Sequence, residues 1–223
     1  MNPDLLPHVL LEADQTANAA VIWMHGLGAN GHDFPPIVPE LDAPETIRFI
    51  FPHAPSIPIT INDGHVMPGW YDIRDLSAID DRADKAGVEA SCKEIQAFID
   101  DQIGQGISPS RIMLAGFSQG GAIALHCGLL NQHKLGGIIA LSTYLPVPDA
   151  ITADALKTNQ HTPLFMAHGE MDPVVPYSLG QRSYEQIQTA GHSAQSWHSY
   201  PMPHSVHPQE VADIGNFLRT QLG

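Results

Sequence analysis

Basic residues are scarce in this chain of 223 residues: ten Lys and Arg stand against 24 Asp and Glu, a formal net charge of −14. Such a surface repels phosphate backbones and anionic headgroups at long range, which argues against nucleic acid as a partner. No run of residues approaches the length of an apolar membrane span, so integral membrane association is not expected. Only two cysteines occur, Cys92 and Cys127, both in stretches read as helix. Two buried thiols suit a reducing compartment better than a disulfide scaffold. The first residues, Met1-Asn2-Pro3-Asp4-Leu5-Leu6-Pro7, lack the basic start and apolar core of a secretion signal. A cytoplasmic location is the resulting expectation. Repeats and biased tracts are missing too, which sets aside disordered and collagen-like architectures.

What is present is an ordinary globular composition, 43% hydrophobic, in a length that one domain spanning residues 1–223 can fill. Short apolar runs bounded by turn residues read as buried strands: 19–24, 46–51, 111–115, 137–142 and 163–167, with a final strand at 195–200 and a short first one within 5–11. Asn30 to Asp33 carries the polar residues that cap a short helix before Pro35-Pro36. Val88, Cys92, Ile95, Ile99 and Ile103 recur at helical spacing in a segment from near Asp80 to Gly104. Two more helices are expected at 177–189 and 208–222. Strand and helix alternate, which predicts an α/β fold with a mostly parallel central sheet, helices on both faces, and a site at the carboxyl ends of the strands.

The chemistry centres on Gly116-Phe117-Ser118-Gln119-Gly120, placed between a strand and an Ala/Leu-rich helix. In G-x-S-x-G a strand turns sharply into a helix, glycines clear the crossing, and the serine stands exposed. A serine hydroxyl needs a base, and the base needs an acid to hold its tautomer; in this fold both follow the serine, acid first. Asp172, after the 163–167 strand and stiffened by Pro173, is the preferred acid, with Glu170 in the same loop as the fallback. Of 13 histidines, three lie near the chain's end. His204 on the loop beyond the last strand is the preferred base, His198 lies within that strand, and His207 reads as a helix cap. These three make no metal set with zinc-like spacing, so neither metal nor cofactor is expected. Two amides suit an oxyanion: that of Gln119, after the nucleophile, and that of Leu27 in the early loop His25-Gly26-Leu27-Gly28, with Gly28 as the alternative. His25 reads as a structural hydrogen bonder. The proline-rich stretch 52–74, with Ile57, Ile59, Ile61, Val66, Met67 and Trp70, either roofs a pocket or packs on itself.

Together these motifs resemble the phospholipase/carboxylesterase family of α/β-hydrolases, which includes acyl-protein thioesterases. The likeness rests on His25-Gly26-Leu27-Gly28 with His32-Asp33-Phe34, on Pro68-Gly69-Trp70-Tyr71-Asp72, on Gly116 to Gly121, on His168-Gly169 with Asp172 to Pro176, and on Tyr200 to Ser205. It implies Ser118, Asp172 and His204 as the triad and Leu27 and Gln119 as the oxyanion hole. It also implies that the 52–74 loop borders the acyl pocket, with Ile59, Met67 and Trp70 as substrate-binding residues. Pro203 stands where relatives usually carry glycine. The implied activity is hydrolysis of short- to medium-chain carboxylic or thio esters; lysophospholipase or acyl-protein thioesterase activity is the alternative, and a non-catalytic binding protein on the same fold is the reading from another class. The partner is then a small-molecule or lipid acyl ester. An apolar lip around 57–70 serves substrate entry or a homodimer equally well.

Overall fold

A computed structural model describes residues 5–74 and 84–223. Seven strands form one sheet in the order β1-β3-β2-β6-β7-β8-β9: β1 (His8–Leu11), β2 (Ala19–Met24), β3 (Ile47–Pro52), β6 (Ile112–Phe117), β7 (Gly137–Leu141), β8 (Leu164–Gly169) and β9 (Gln195–Tyr200). β1 runs antiparallel to β3, and every other neighbouring pair is parallel. The central strands β2, β7 and β8 are buried at every residue, which is why they read as continuous apolar runs rather than as alternations.

Alternate residues still serve opposite faces. Ala20, Ile22, Ile112 and Leu114 meet one core, formed with α1 (Lys85–Gly104), α2 (Gln119–Leu129) and Ile187 of α3 (Tyr177–Thr189). Val21, Trp23, Met113 and Ala115 meet the other, formed with Val211, Ile214, Leu218 and Leu222 of α4 (Pro208–Leu222). The sheet is therefore covered on both sides, as the alternating pattern implies.

Three expectations change, and a fourth is only partly within view. The 52–74 stretch contains an antiparallel hairpin, β4 (Ser56–Ile59) with β5 (His65–Pro68), joined by a 3₁₀ turn at Thr60–Asn62. It pairs with itself and not with the main sheet, so its prolines, Pro58 within β4 included, cost the central ladder nothing. The early helix starts at the proline pair, as a 3₁₀ segment Pro35–Leu41 without a side-chain cap. Asn30 instead closes its own turn, its Oδ1 accepting the His32 amide at 2.9 Å. In α1, Asp84 is the N-cap and accepts the Gly87 amide; the expected start at Asp80 lies outside the described residues. Finally, Cys92 and Cys127 are not free thiols. They form a disulfide that joins α1 to α2, with Cα atoms 5.4 Å apart, so the argument from cysteines to a reducing compartment loses its ground.

Candidate active site

The elbow between β6 and α2 forces Ser118 into a strained backbone conformation, φ 55° and ψ −120°. The surroundings hold it there. Its amide donates to the Leu141 carbonyl at 2.8 Å, and its own carbonyl accepts from Thr143 Oγ1 at 2.6 Å and from the Ala122 amide at 3.1 Å. A Cβ at Gly116 would strike the Gly120 carbonyl, and one at Gly120 would strike the carbonyls of Met24 and His25. Both motif glycines thus let backbone pack on backbone, and they bring the start of α2 against the loop after β2.

Asp172 and His204 meet at the ends of β8 and β9. The His204 Nδ1 lies 2.6 Å from Asp172 Oδ2, and the carboxylate side chain is fully buried. Its other oxygen accepts the amides of Val174 at 2.8 Å and Val175 at 2.9 Å. His168 also approaches Oδ2, at 3.5 Å, but its Nε2 donates to the Val175 carbonyl at 3.0 Å. Burial lowers the His168 pKa, so that ring stays neutral. His204 is then the one histidine placed to share Asp172's charge through a short bond. Its ring packs against Phe117, the residue before Ser118, with centroids 4.7 Å apart. With Nδ1 committed to the carboxylate, Nε2 is the nitrogen left to accept a proton.

The rejected candidates are engaged elsewhere. Glu170 is exposed and accepts from Ser199 Oγ at 3.1 Å. His198 stacks on Phe165 with centroids 4.3 Å apart, and His207 caps α4 by accepting the Gln209 amide at 3.1 Å. His25, 1% exposed, accepts the Ala54 amide on Nε2 at 3.1 Å, so its proton sits on Nδ1 and goes to the Gly26 carbonyl at 2.7 Å. It is a loop fastener, kept neutral by burial, which lowers its pKa.

Ser118 and His204 open onto one cavity of about 610 Å³, as do Leu27 and Gln119. The Gly28 amide, the alternative oxyanion donor, is already given to the Pro68 carbonyl at 2.8 Å. Among the described residues the amides of Leu27 and Gln119 have no protein acceptor and so remain available to a ligand.

The apolar wall comes from Phe34, Ile37, Ile61, Ile73, Val174 and Val175. Ile59, Met67 and Trp70 are not part of that wall: Ile59 and Trp70 are buried in the body of the protein, and Met67 packs beside Gly28. The 52–74 loop does border the cavity, but through Ile61 and Ile73. Sequence reasoning missed Tyr144, whose hydroxyl pairs with that of Tyr71 at 2.9 Å at the cavity's edge. Burial raises both phenol pKa values and keeps them neutral. Nothing in the sequence around Tyr144 marked it, whereas Val174 and Val175 sat within the loop already singled out for Asp172.

Comparison with known proteins fits this geometry. The profile of the Phospholipase/Carboxylesterase family matches residues 7–222. Acyl-protein thioesterase 1 of Gibberella zeae is 39% identical over 233 residues, covering 100% of this chain and 98% of the relative. The protein of the same name from Emericella nidulans is 42% identical over 213 residues, covering 90% and 89%. Among solved structures, acyl-protein thioesterase 2 of Zea mays superposes with a TM-score of 0.85 at 28% identity, over 98% of this chain and 100% of that one. Among the described residues, no helix is long and apolar enough to cross a membrane.

Proposed function

Because the chain belongs to the phospholipase/carboxylesterase family and is a serine hydrolase, we propose that it cleaves thioesters or lysophospholipid esters of longer acyl chains, with acyl-protein thioesters as the leading substrate class. The 2.6 Å contact between His204 and Asp172 beside Ser118, on a cavity with an apolar wall, carries this reading. The names of the full-length relatives favour it over the short- to medium-chain carboxylesterase reading.

In the mechanism, His204 Nε2 takes the proton of Ser118 Oγ as that oxygen attacks the acyl carbonyl. Asp172 holds Nδ1–H and stabilises the imidazolium. The Leu27 and Gln119 amides receive the oxyanion. The carbonyl re-forms, the carbon–sulfur or carbon–oxygen bond breaks, and His204 protonates the departing thiolate or alkoxide. Water, deprotonated by the same nitrogen, then attacks the acyl-enzyme and releases the carboxylic acid with Ser118 restored. The exposed side chains of Ile61 and Val174 flank the mouth, where a chain would enter and where a second copy would pair if the protein dimerises.

The test is labelling by a fluorophosphonate, which Ser118→Ala abolishes, combined with kcat/KM for thioesters of increasing chain length. Each methylene that enters the cavity raises kcat/KM about fourfold, the equivalent of ~0.8 kcal/mol. A rise that continues beyond about eight carbons supports the long-chain reading, and a fall before that point returns the assignment to short esters. Absence of labelling would leave a binding protein on a hydrolase fold.

A further inference from the structure

The two amides read as oxyanion donors sit on different elements, one in a glycine-flanked loop after β2 and one at the first turn of α2. Such donors act only if their spacing is fixed before the substrate arrives, since each must lie about 2.7–3.1 Å from the oxyanion. The tetrapeptide Pro68-Gly69-Trp70-Tyr71 reaches both. Towards the loop, the Pro68 carbonyl accepts the Gly28 amide at 2.8 Å and the Trp70 Nε1 donates to the His25 carbonyl at 2.8 Å. These two bonds bracket Leu27 on either side. Towards the helix, the Trp70 amide donates to Gln119 Oε1 at 2.8 Å and Gln119 Nε2 donates to the Tyr71 carbonyl at 2.7 Å. The same residue thus contributes its backbone amide to the cavity and its side chain to the tetrapeptide.

The arrangement is dry and polar at once: Trp70 and Gln119 are each 2% exposed and His25 is 1% exposed. The orientation of the Gln119 amide is forced, because Oε1 faces a donor and Nε2 an acceptor. The tetrapeptide has its own anchorage, from Ser91 Oγ on α1 to the Trp70 carbonyl and from the Gly69 amide to the Pro55 carbonyl at 3.0 Å.

We propose that Pro68–Tyr71 is a clamp that sets the separation of the Leu27 and Gln119 amides, with Trp70 and the Gln119 side chain as positioning residues. Trp70 therefore serves the transition state from behind the wall and not the acyl chain from within it. The inference rests on the oxyanion role given to the two amides under the proposed function.

The experiment uses Trp70→Phe, which keeps a ring but loses the indole donor, and Gln119→Met, which keeps the backbone amide and side-chain length but loses both clamp bonds. For each, kcat and KM are measured on an octanoyl thioester, together with Ki for an alkyl trifluoromethyl ketone, whose serine adduct carries an oxyanion, and the melting temperature. Leu156→Ala, a cut in the core, supplies a variant destabilised at a place outside the cavity wall. The clamp predicts that kcat falls roughly 10- to 100-fold with KM within about threefold, and that Ki rises by the same factor as kcat/KM falls, because misplacing a donor costs transition-state binding. Leu156→Ala lowers the melting temperature and leaves kcat near wild type. If one clamp variant does not fold, the other decides alone. Folded variants with kcat within twofold of wild type overturn the clamp, and so does a loss of kcat that the inhibitor does not follow. Wild-type protein that neither labels with a fluorophosphonate nor turns over thioester overturns the parent reading, an outcome distinct from an active wild type with unaffected variants.

Discussion

Asp172 meets His204 through one carboxylate oxygen, 2.6 Å from Nδ1, while two backbone amides occupy the other. That division decides what Asp172→Asn does. The amides of Val174 and Val175 hold the side-chain oxygen, so the NH₂ group turns towards His204 and imposes the wrong tautomer, with the proton on Nε2. The expected result is a fall in kcat of about 10³–10⁴-fold with little change in folding. A loss under tenfold, with an unaltered circular dichroism spectrum, places the acid elsewhere.

The cavity wall has Asp33 but no lysine or arginine among the described residues, in a protein of net charge −14. Acyl-coenzyme A, with its several phosphate charges, should therefore be a poor substrate. At low ionic strength its kcat/KM is expected to fall at least tenfold below that of an uncharged thioester with the same acyl group, and added salt should narrow the gap. Equal rates for the two would remove electrostatics from the specificity.

The Cys92–Cys127 bond closes a loop of 35 residues between α1 and α2. On chain-entropy grounds its loss costs about 3–4 kcal/mol. Titration of denatured, unreduced protein with a thiol reagent should find no free thiol, and reduction or Cys127→Ser should lower the urea midpoint correspondingly. Two titratable thiols in the freshly purified protein would show that the bond does not form there.

Burial raises the Glu210 carboxyl pKa from its ordinary 4.5 to about 7, helped by Asp213 and opposed by the His207 amide it accepts. The folded protein then keeps a proton that the unfolded chain releases near pH 4.5. Stability from this group is intact below that value, declines as pH rises towards 7, and is lower by roughly 3 kcal/mol above it. Glu210→Gln retains the acceptor for His207. It should match wild type in urea at pH 4.5 and exceed it at pH 8; an unchanged pH slope would assign the effect to other groups.

Much of this was legible because it is local. Gly116, Ser118 and Gly120 announce the elbow since only glycines allow backbone to cross there. The strands of the central sheet read as apolar runs because both of their faces are covered. Asp172 and His204 follow from the order of the chain once the serine is placed. What failed depends on partners distant in sequence. Ile59 and Ile61 are two residues apart and equally apolar, yet the 3₁₀ turn between β4 and β5 sends one into the protein and the other to the cavity mouth. The family likeness placed Trp70 at the pocket, whereas its indole is buried and donates to the His25 carbonyl, a partner 45 residues away. The cysteine pairing needed the packing of α1 against α2, which no spacing within either helix encodes.

α2 has no solvent face: every residue from Gln119 to Leu129 is buried. Its amides should therefore exchange with deuterium only when the whole domain opens, whereas the exposed 3₁₀ turn Thr60–Asn62 at the tip of the hairpin should exchange earlier. Heat inactivation should accordingly coincide with global unfolding instead of preceding it. Loss of capture by a covalent inhibitor on heating should then follow the unfolding curve, because Ser118 stands at the start of this buried helix.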